Sequence, residues 1–547
     1  MNQTLLAQML QRASAAMQRR AFGEVIDICN QVIARFGDEA NALMLLGVVY
    51  AENGDPRGAI PFYERARQLM PAHIHVLTNL GSAYRSVGRL SEARLALEEA
   101  LRVDKRFAIA HNNLGNVLLD LGDREGARRA YERAVLAQPA YADPVAGLAR
   151  IAEEEHRLDD AARLASRALS LVPGIVSARL TSAKVKLRRG EAAAASAELE
   201  PLVREPSVSV TNRVVAEGYL GEAYDKLGRF DEAFEAFSRA NRAQHEQHAA
   251  AFPSGYLTPQ TVALVRRFVD GVQLATWRAA PTAQEVPVFL IGFPRSGTTL
   301  LDQILASHPE ITTLEERDTL IDVATAFLGE HQDISLLAQL PDPELDRFRG
   351  LYWQRVEAGL SGSVRKRVFV DKLPLNAVLL PLIYRFFPSA KIVLALRDPR
   401  DAVLSCYQQR FGMNAAMYQL LRLDTAAAYY DAVMGLVGAC RSAFPLCVHE
   451  VRYEAVIADF DNAVRGVLDF LELGWDDAVR NYAETAKRRA IGTPSATQVV
   501  QPLYTSAQGK WRNYRRFMEP ILPVLEPWVA AFGYEASEGL GSAGKGL

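Results

Sequence analysis

Between Gly292 and Gly297 the chain reads GFPRSG, then continues TTLLDQILASHP. The apolar run Val288 to Ile291 before it is of the kind that forms a buried strand, and Thr298 onward has a helical pattern that Pro309 closes. A loop between a strand and a helix start gathers backbone N–H groups and the positive end of the helix dipole at one point. That is an anion site, best matched to a phosphate. The Gly292-x4-Gly297 spacing is that of a nucleotide-triphosphate loop, yet Thr298 stands where such a loop places its Lys. The cation at hand is Arg295, inside the loop. The expectation is a ligand with one 5'-phosphate and a further reactive group; the bland alternative is a plain strand-to-helix turn.

Further polar residues follow other apolar runs. Asp371-Lys372-Leu373-Pro374 comes after Val368 to Val370, and Arg397-Asp398-Pro399-Arg400 after Lys391 to Leu396, with Ser405 on the helix beyond. A fourth run lies at Cys447 to Val451. Strands alternating with helices predict a parallel sheet covered on both faces, whose ligands bind at the carboxyl ends of the strands. An Arg at such an end and a Ser in the next helix can together clamp a second phosphate. Surface ion pairing is the alternative role for Arg397 and Arg400.

The elements before this region have a different rhythm. Gly54, Gly88, Gly122, His156 and Gly190 recur every 34 residues, and Gly228 follows after 38. Ala59, Ala93, Ala127, Ala161, Ala195 and Ala233 keep the same steps, and Leu80-Gly81 and Leu114-Gly115 mark first helices. Counting back, Arg20 takes a turn position and Ala13 a small one. The pattern resembles the tetratricopeptide repeat family, an all-α solenoid of paired helices. About seven repeats over residues 5–249 are expected, and the resemblance implies protein or peptide binding in a groove. Asn79 and Asn113 are a two-rung amide ladder there, or simply solvated polar surface.

With 547 residues the chain is long enough for more than one domain. A net charge of -2 supplies no basic field for nucleic acid. The four cysteines and nine histidines show no metal spacing, and no apolar run is long enough to span a membrane, so no metal, no membrane span and a cytoplasmic location are expected.

PRSGTTL followed by LRDPRDAVLS resembles the sulfotransferases that use 3'-phosphoadenosine 5'-phosphosulfate (PAPS), and more closely the tyrosylprotein sulfotransferases. His308-Pro309, Glu315-Glu316, Lys372 in a Lys-x-Pro context, Tyr453-Glu454, Ser495 and Lys510-Trp511 extend the likeness over roughly 286–535. Two departures fall on the acceptor side: Arg317 stands one place early after the Glu pair, and Gln409 occupies a position expected to be basic. The resemblance implies a sulfotransferase fold, an α/β P-loop-like domain on a central parallel sheet. It implies Glu316 as base, with Glu315 in reserve and a helix cap as the structural alternative for either. Arg295, Lys372 and Ser495 are implied to act on the transferring group and leaving phosphate. Ser296, Gly297, Thr298, Thr299 and Lys510 are implied for the 5'-phosphate, Arg397 and Ser405 for the 3'-phosphate, and Tyr453 for the nucleotide.

The expected layout is repeats at 5–249, a connector with one helix at 250–285, the sulfotransferase domain at 286–535, and a disordered tail at 536–547. The expected activity is sulfuryl transfer to an acceptor hydroxyl of a tyrosine, a saccharide or a small alcohol, with the repeats holding the acceptor or a partner. The alternatives are a P-loop kinase or NTPase and a non-catalytic nucleotide-sensing scaffold.

Overall fold

The computed structural model describes residues 2–252, 255–329, 331–360, 365–488 and 507–537. The chain divides into two compact units, Met1–Leu227 and Gly228–Leu547. The first unit is all helix, from Asn2–Gln18 to Val210–Lys226. Its 34-residue rhythm has a backbone cause. Gly54, Gly88, Gly122 and Gly190 have φ of 80–81°, and Arg20 (57°) and His156 (63°) adopt the same left-handed turn without being glycine. Ala13, Ala59, Ala93, Ala127, Ala161 and Ala195 are fully buried between helices. Gly115 shows why the first helices carry a glycine: a Cβ there would lie 2.6 Å from the Tyr131 ring. These are tetratricopeptide repeats.

The second unit is built on a five-stranded, all-parallel sheet in the order β2-β3-β1-β4-β5. The strands are β1 Val288–Gly292, β2 Ile311–Glu315, β3 Val368–Lys372, β4 Lys391–Leu396 and β5 Cys447–Arg452. Helices cover both faces, as a parallel sheet requires. On one face Val288, Leu290, Val370, Val393 and Ala395 pack against Leu301, Ile304 and Leu305 of the helix Thr298–Ser307 and against Val464, Val467 and Leu468. On the other, Phe289 meets Tyr352 and Phe387. Lys372 pairs in register with Leu290 and Glu315, and Asp371 with Phe289 and Leu314. Because side chains alternate along a strand, Lys372 and Asp371 leave β3 on opposite faces.

One expectation about organisation changes. β2 was absent from the sequence reading; it is a five-residue edge strand, ITTLE, that puts Glu315 at a strand end rather than at a helix cap. The residues read as a connector pack on the sheet domain. Tyr429 donates to the Leu257 carbonyl, Arg266 to Gly435, Arg385 to Arg278 and Arg349 to Pro281. The helix Phe230–His248, counted above with the repeats, likewise belongs to the second unit. Its Asn241 donates to the Tyr407 carbonyl at 2.9 Å, and Phe234 stacks on Phe517 with centroids 3.9 Å apart. By compactness alone, the second unit starts at Gly228, just before this helix. Of the expected tail, residues 538–547 lie outside the described residues.

Candidate functional site

β1 ends at Gly292, and the helix Thr298–Ser307 starts directly after Gly297, whose φ is 93°. A Cβ at Gly297 would sit 2.9 Å from the Tyr453 ring, so the position needs glycine both for conformation and for space. Ser296, Thr298 and Thr299 are buried around this turn, and Arg295 also takes a left-handed conformation, φ 68°. The loop is thus a tight strand-to-helix cradle with a helix start aimed into it.

Arg397 at the end of β4 closes one side. Its guanidinium lies 5.0 Å from the centre of the Tyr453 ring, donates to the Arg295 carbonyl at 3.1 Å and to the Ala507 carbonyl at 2.6 Å, and is 7% exposed. Its Nε is buried and has no acceptor among the described residues. Ser405 accepts a hydrogen bond from Arg295 Nε at 3.1 Å, so the residues assigned to the two phosphates adjoin. Lys510 is drawn to the same place by Asp401, which accepts from Gly509 N (2.6 Å) and Trp511 N (2.8 Å) on either side of it. Burial raises the Asp401 carboxyl to about 6, with Arg397 opposing.

Arg400 is neither a phosphate clamp nor a surface ion pair. It is 1% exposed, bonded to Asp398 at 2.7 Å and to the Glu535 carbonyl, and lies 4.3 Å from the Trp511 ring centre. It fastens the C-terminal segment to the strand end.

The second cluster lies at the ends of β2 and β3. Lys372 is fully buried and its Nζ donates to Glu316 Oε1 at 2.9 Å and Glu315 Oε1 at 3.2 Å. Burial works against its charge, but Glu316, Asp302 and Glu315 outweigh it and hold the ammonium above its ordinary range. Burial pushes the Glu315 carboxyl up, Lys372 only partly compensating. The side chain of Glu316 is 37% exposed against 12% for Glu315, so Glu316 faces outward while Glu315 stays inside. Glu316 also has a positive φ, 44°, and its N–H donates to the Lys372 carbonyl at 2.8 Å.

Arg295, Ser296, Gly297, Thr298, Thr299, Arg397, Ser405, Tyr453 and Lys510 therefore gather around the β1 loop, and Lys372 with Glu315 and Glu316 stands at the next strand ends. Ser495 lies outside the described residues. Sequence reasoning gave no role to Asp401, although it stands inside the motif Arg397–Ser405. Glu454, which the likeness includes without a role, accepts from Asp398 N and from the Tyr534 hydroxyl. Among the described residues the buried Arg397 Nε is left without an acceptor beside the loop and the start of the helix Thr298–Ser307, donors of the kind a phosphate-bearing ligand would use.

Residues 287–477 match the model of the sulfotransferase family, and residues 38–106, 108–141 and 220–244 match tetratricopeptide repeat models. An uncharacterized protein of Aquifex aeolicus is 29% identical over 340 residues, 60% of this chain, and the chain spans 43% of that relative's length. Protein-tyrosine sulfotransferase 1 of Danio rerio is 25% identical over 262 residues, covering 45% of this chain and 72% of the relative. A putative protein-tyrosine sulfotransferase of Caenorhabditis briggsae is 25% identical over 259 residues, 46% of this chain and 89% of its own. The chain carries a sulfotransferase-family domain on its parallel sheet, preceded by tetratricopeptide repeats.

Proposed function

We propose that the second unit transfers a sulfuryl group from PAPS to an acceptor hydroxyl, with Glu316 as the base. The observation that carries this reading is Lys372, buried and charged between two carboxylates at a strand end beside a phosphate loop whose Lys position is Thr298. When bound, the co-substrate supplies the activated sulfuryl group. Arg397, Ser405 and Tyr453 hold the 3'-phosphate side of the nucleotide, and the 296–299 turn with Lys510 holds the 5'-phosphate. No metal ion is invoked.

Glu316 takes the acceptor proton as the acceptor O–S bond forms and the bond to the leaving phosphate breaks. General-base help of this kind contributes about 100- to 10,000-fold. Its exposure is the reason to choose it over Glu315, which is buried and biased toward its protonated form. Lys372 orients Glu316 and, with Arg295, offsets negative charge that develops during transfer. Ser495 is assigned to the leaving phosphate.

Tyrosine of a protein or peptide is the acceptor to test first, since two of the relatives named above are called protein-tyrosine sulfotransferases. The repeats are assigned to holding that acceptor or a partner, with Asn79 and Asn113 half-buried on successive first helices. The test is radiolabelled sulfate transfer to the proteins of a cell extract, with and without tyrosine-containing copolymer as competitor. Transfer that the copolymer suppresses supports a tyrosine acceptor; transfer it leaves untouched redirects the search to saccharides and small alcohols. Absence of transfer combined with hydrolysis of ATP would replace the reading with an NTPase.

A further inference from the structure

The segment from Glu316 to Leu320 crosses over the carboxyl end of β3. It begins on the Lys372 face, where Glu316 N–H donates to the Lys372 carbonyl at 2.8 Å and the Glu316 carboxylate receives Lys372 Nζ at 2.9 Å. It ends on the opposite face, where the Thr319 hydroxyl donates to Asp371 Oδ2 at 2.6 Å. Neighbouring residues of one strand thus hold the two ends of one short turn. Thr319 is 1% exposed and Asp371 is fully buried, so this second tie is inside the protein. Tyr352 on the helix Asp342–Leu360 donates to the same Asp371 oxygen at 3.1 Å and fixes the carboxylate from below.

The turn needs such a tie. Glu316 has a φ of 44°, a left-handed conformation that is strained for a non-glycine residue and persists only where its surroundings enforce it. Lys372 alone fixes the carboxylate end. It does not fix where the chain goes next: Arg317 and Asp318 are exposed, and the one side-chain bond given for Asp318 comes from the Tyr256 hydroxyl at 2.9 Å.

We propose that Asp371 is a positioning residue for Glu316: through Thr319 it locks the left-handed turn that keeps the Glu316 carboxylate on Lys372 and facing the acceptor. The proposal rests on the reading of Glu316 as the base. Asp371 is fully buried and leaves β3 on the face opposite Lys372. Its loss acts on turnover and leaves nucleotide binding alone.

The hydroxyl is the cleanest handle. Thr319→Val keeps the shape and removes the donor; Thr319→Ser keeps the donor. Asp371→Ala removes the acceptor, and Asp371→Asn keeps an oxygen for Thr319. In the full chain, Thr319→Val and Asp371→Ala are expected to lower kcat for sulfate transfer to extract protein by ten-fold or more. The Kd of 3'-phosphoadenosine 5'-phosphate, measured by calorimetry, should stay within two-fold. Thr319→Ser and Asp371→Asn are expected to keep most of the turnover. Amide exchange provides a second readout that needs no acceptor. Thr319→Val should speed exchange at Glu316–Leu320 and leave Gly292–Thr299 unchanged, and Thr319→Ser should restore protection.

Unchanged exchange at Glu316–Leu320 in Thr319→Val, or nucleotide affinity falling in step with kcat, overturns the proposal. If Glu316→Gln is inactive and Thr319→Val turns over normally, the positioning role alone is lost. If Glu316→Gln turns over normally, the base assignment is lost as well.

Discussion

Lys372 Nζ donates to Glu316 Oε1 at 2.9 Å and to Glu315 Oε1 at 3.2 Å, so one buried ammonium serves two carboxylates of different exposure. The exposed one, Glu316, is the proposed base; the buried one, Glu315, keeps a hydrogen bond to the Lys when the other moves. The arrangement predicts different losses for the three side chains.

Glu316→Gln keeps shape and hydrogen-bonding reach but loses basicity. Turnover should fall by about 100-fold or more, with the nucleotide Kd within a few-fold of wild type. Glu315→Gln should keep a substantial fraction of turnover. Steady-state transfer assays on the two variants side by side check this, and the reverse order would move the base to Glu315.

Lys372→Met should be destabilising as well as inactive. Removing one partner of a buried ion pair typically costs about 3–5 kcal/mol, because the remaining charge is left uncompensated. Glu316 is partly exposed and Glu315 can take a proton, so the lower end of that range is expected. Chemical denaturation of the variant measures it.

Arg397 and Ser405 predict how the protein distinguishes nucleotides. Arg397 has a buried Nε without an acceptor among the described residues, and Ser405 is joined to the loop through Arg295. 3'-Phosphoadenosine 5'-phosphate should raise the melting temperature much more than adenosine 5'-phosphate does. A ligand at a hundred times its Kd adds about 2.7 kcal/mol of native-state stability. In Ser405→Ala the gap between the two nucleotides should narrow. Equal shifts in the wild type would remove the 3'-phosphate assignment.

Asp371 makes stability depend on pH in an unusual direction. Burial lifts its carboxyl from an ordinary 3.8 to about 7, against the pull of the Thr319 and Tyr352 hydrogen bonds. The folded state therefore binds the proton more tightly than the unfolded chain does. Stability from this group is greatest below the unfolded value and declines as pH rises toward 7. Asp371→Asn cannot ionise and should lose that decline. At about 1.4 kcal/mol per pH unit, the variant should gain up to about 3 kcal/mol on wild type between about pH 5 and pH 8. Denaturation curves at the two pH values test the sign; a variant whose deficit grows with pH contradicts it.

How legible these features were in the sequence depended on what each needed. The helical repeats announce themselves because a left-handed turn and a close helix contact each demand one residue type, and Arg20 and His156 were recovered from the period although neither is glycine. β1 and β4 are legible as apolar runs between helices. β2 is not: ITTLE at the sheet edge has two Thr, and its pairing with β3 alone makes it a strand. The opposite facing of Asp371 and Lys372 requires the register, which no local pattern gives. Arg400 reads as a clamp because a charged residue at a strand end is assumed to face ligand; its partners Asp398, Glu535 and Ser537 enclose it instead. The helix Phe230–His248 reads as a repeat helix, which its match to a repeat model over residues 220–244 bears out; what the sequence leaves open is the surface it packs on. Its Ala233 keeps the repeat's ladder, and a small-residue ladder says that a helix packs closely without saying on what.

That helix carries the last prediction, which concerns where the catalytic unit begins. Ser238 Oγ lies 2.7 Å from the Tyr407 hydroxyl, and Asn241 Nδ2 donates to the Tyr407 carbonyl at 2.9 Å. Tyr407 ends the helix Pro399–Tyr407 that also holds Asp401 and Ser405, so these contacts anchor the element that presents the residues assigned to the 3'-phosphate. Phe234 adds a stacked contact with Phe517, Phe230 an edge contact with Tyr514, and Asp231 an ion pair with Arg516 at 2.7 Å. Burying one Phe is worth about 1.5–3 kcal/mol and a hydrogen bond about 0.5–1.5, so removing the helix costs several kcal/mol of a stability that rarely exceeds about 15. A fragment starting at Gly228 should fold and bind 3'-phosphoadenosine 5'-phosphate with near-native affinity. One starting at Thr258 should be poorly soluble or bind the nucleotide much more weakly. Asn241→Ala in the full chain is the milder version: Ser405 loses part of its anchoring, and nucleotide affinity should drop several-fold while the repeats remain intact. Expression and calorimetry of the two fragments decide the matter; equal behaviour would leave the helix to the repeats and return the boundary to the segment after His248.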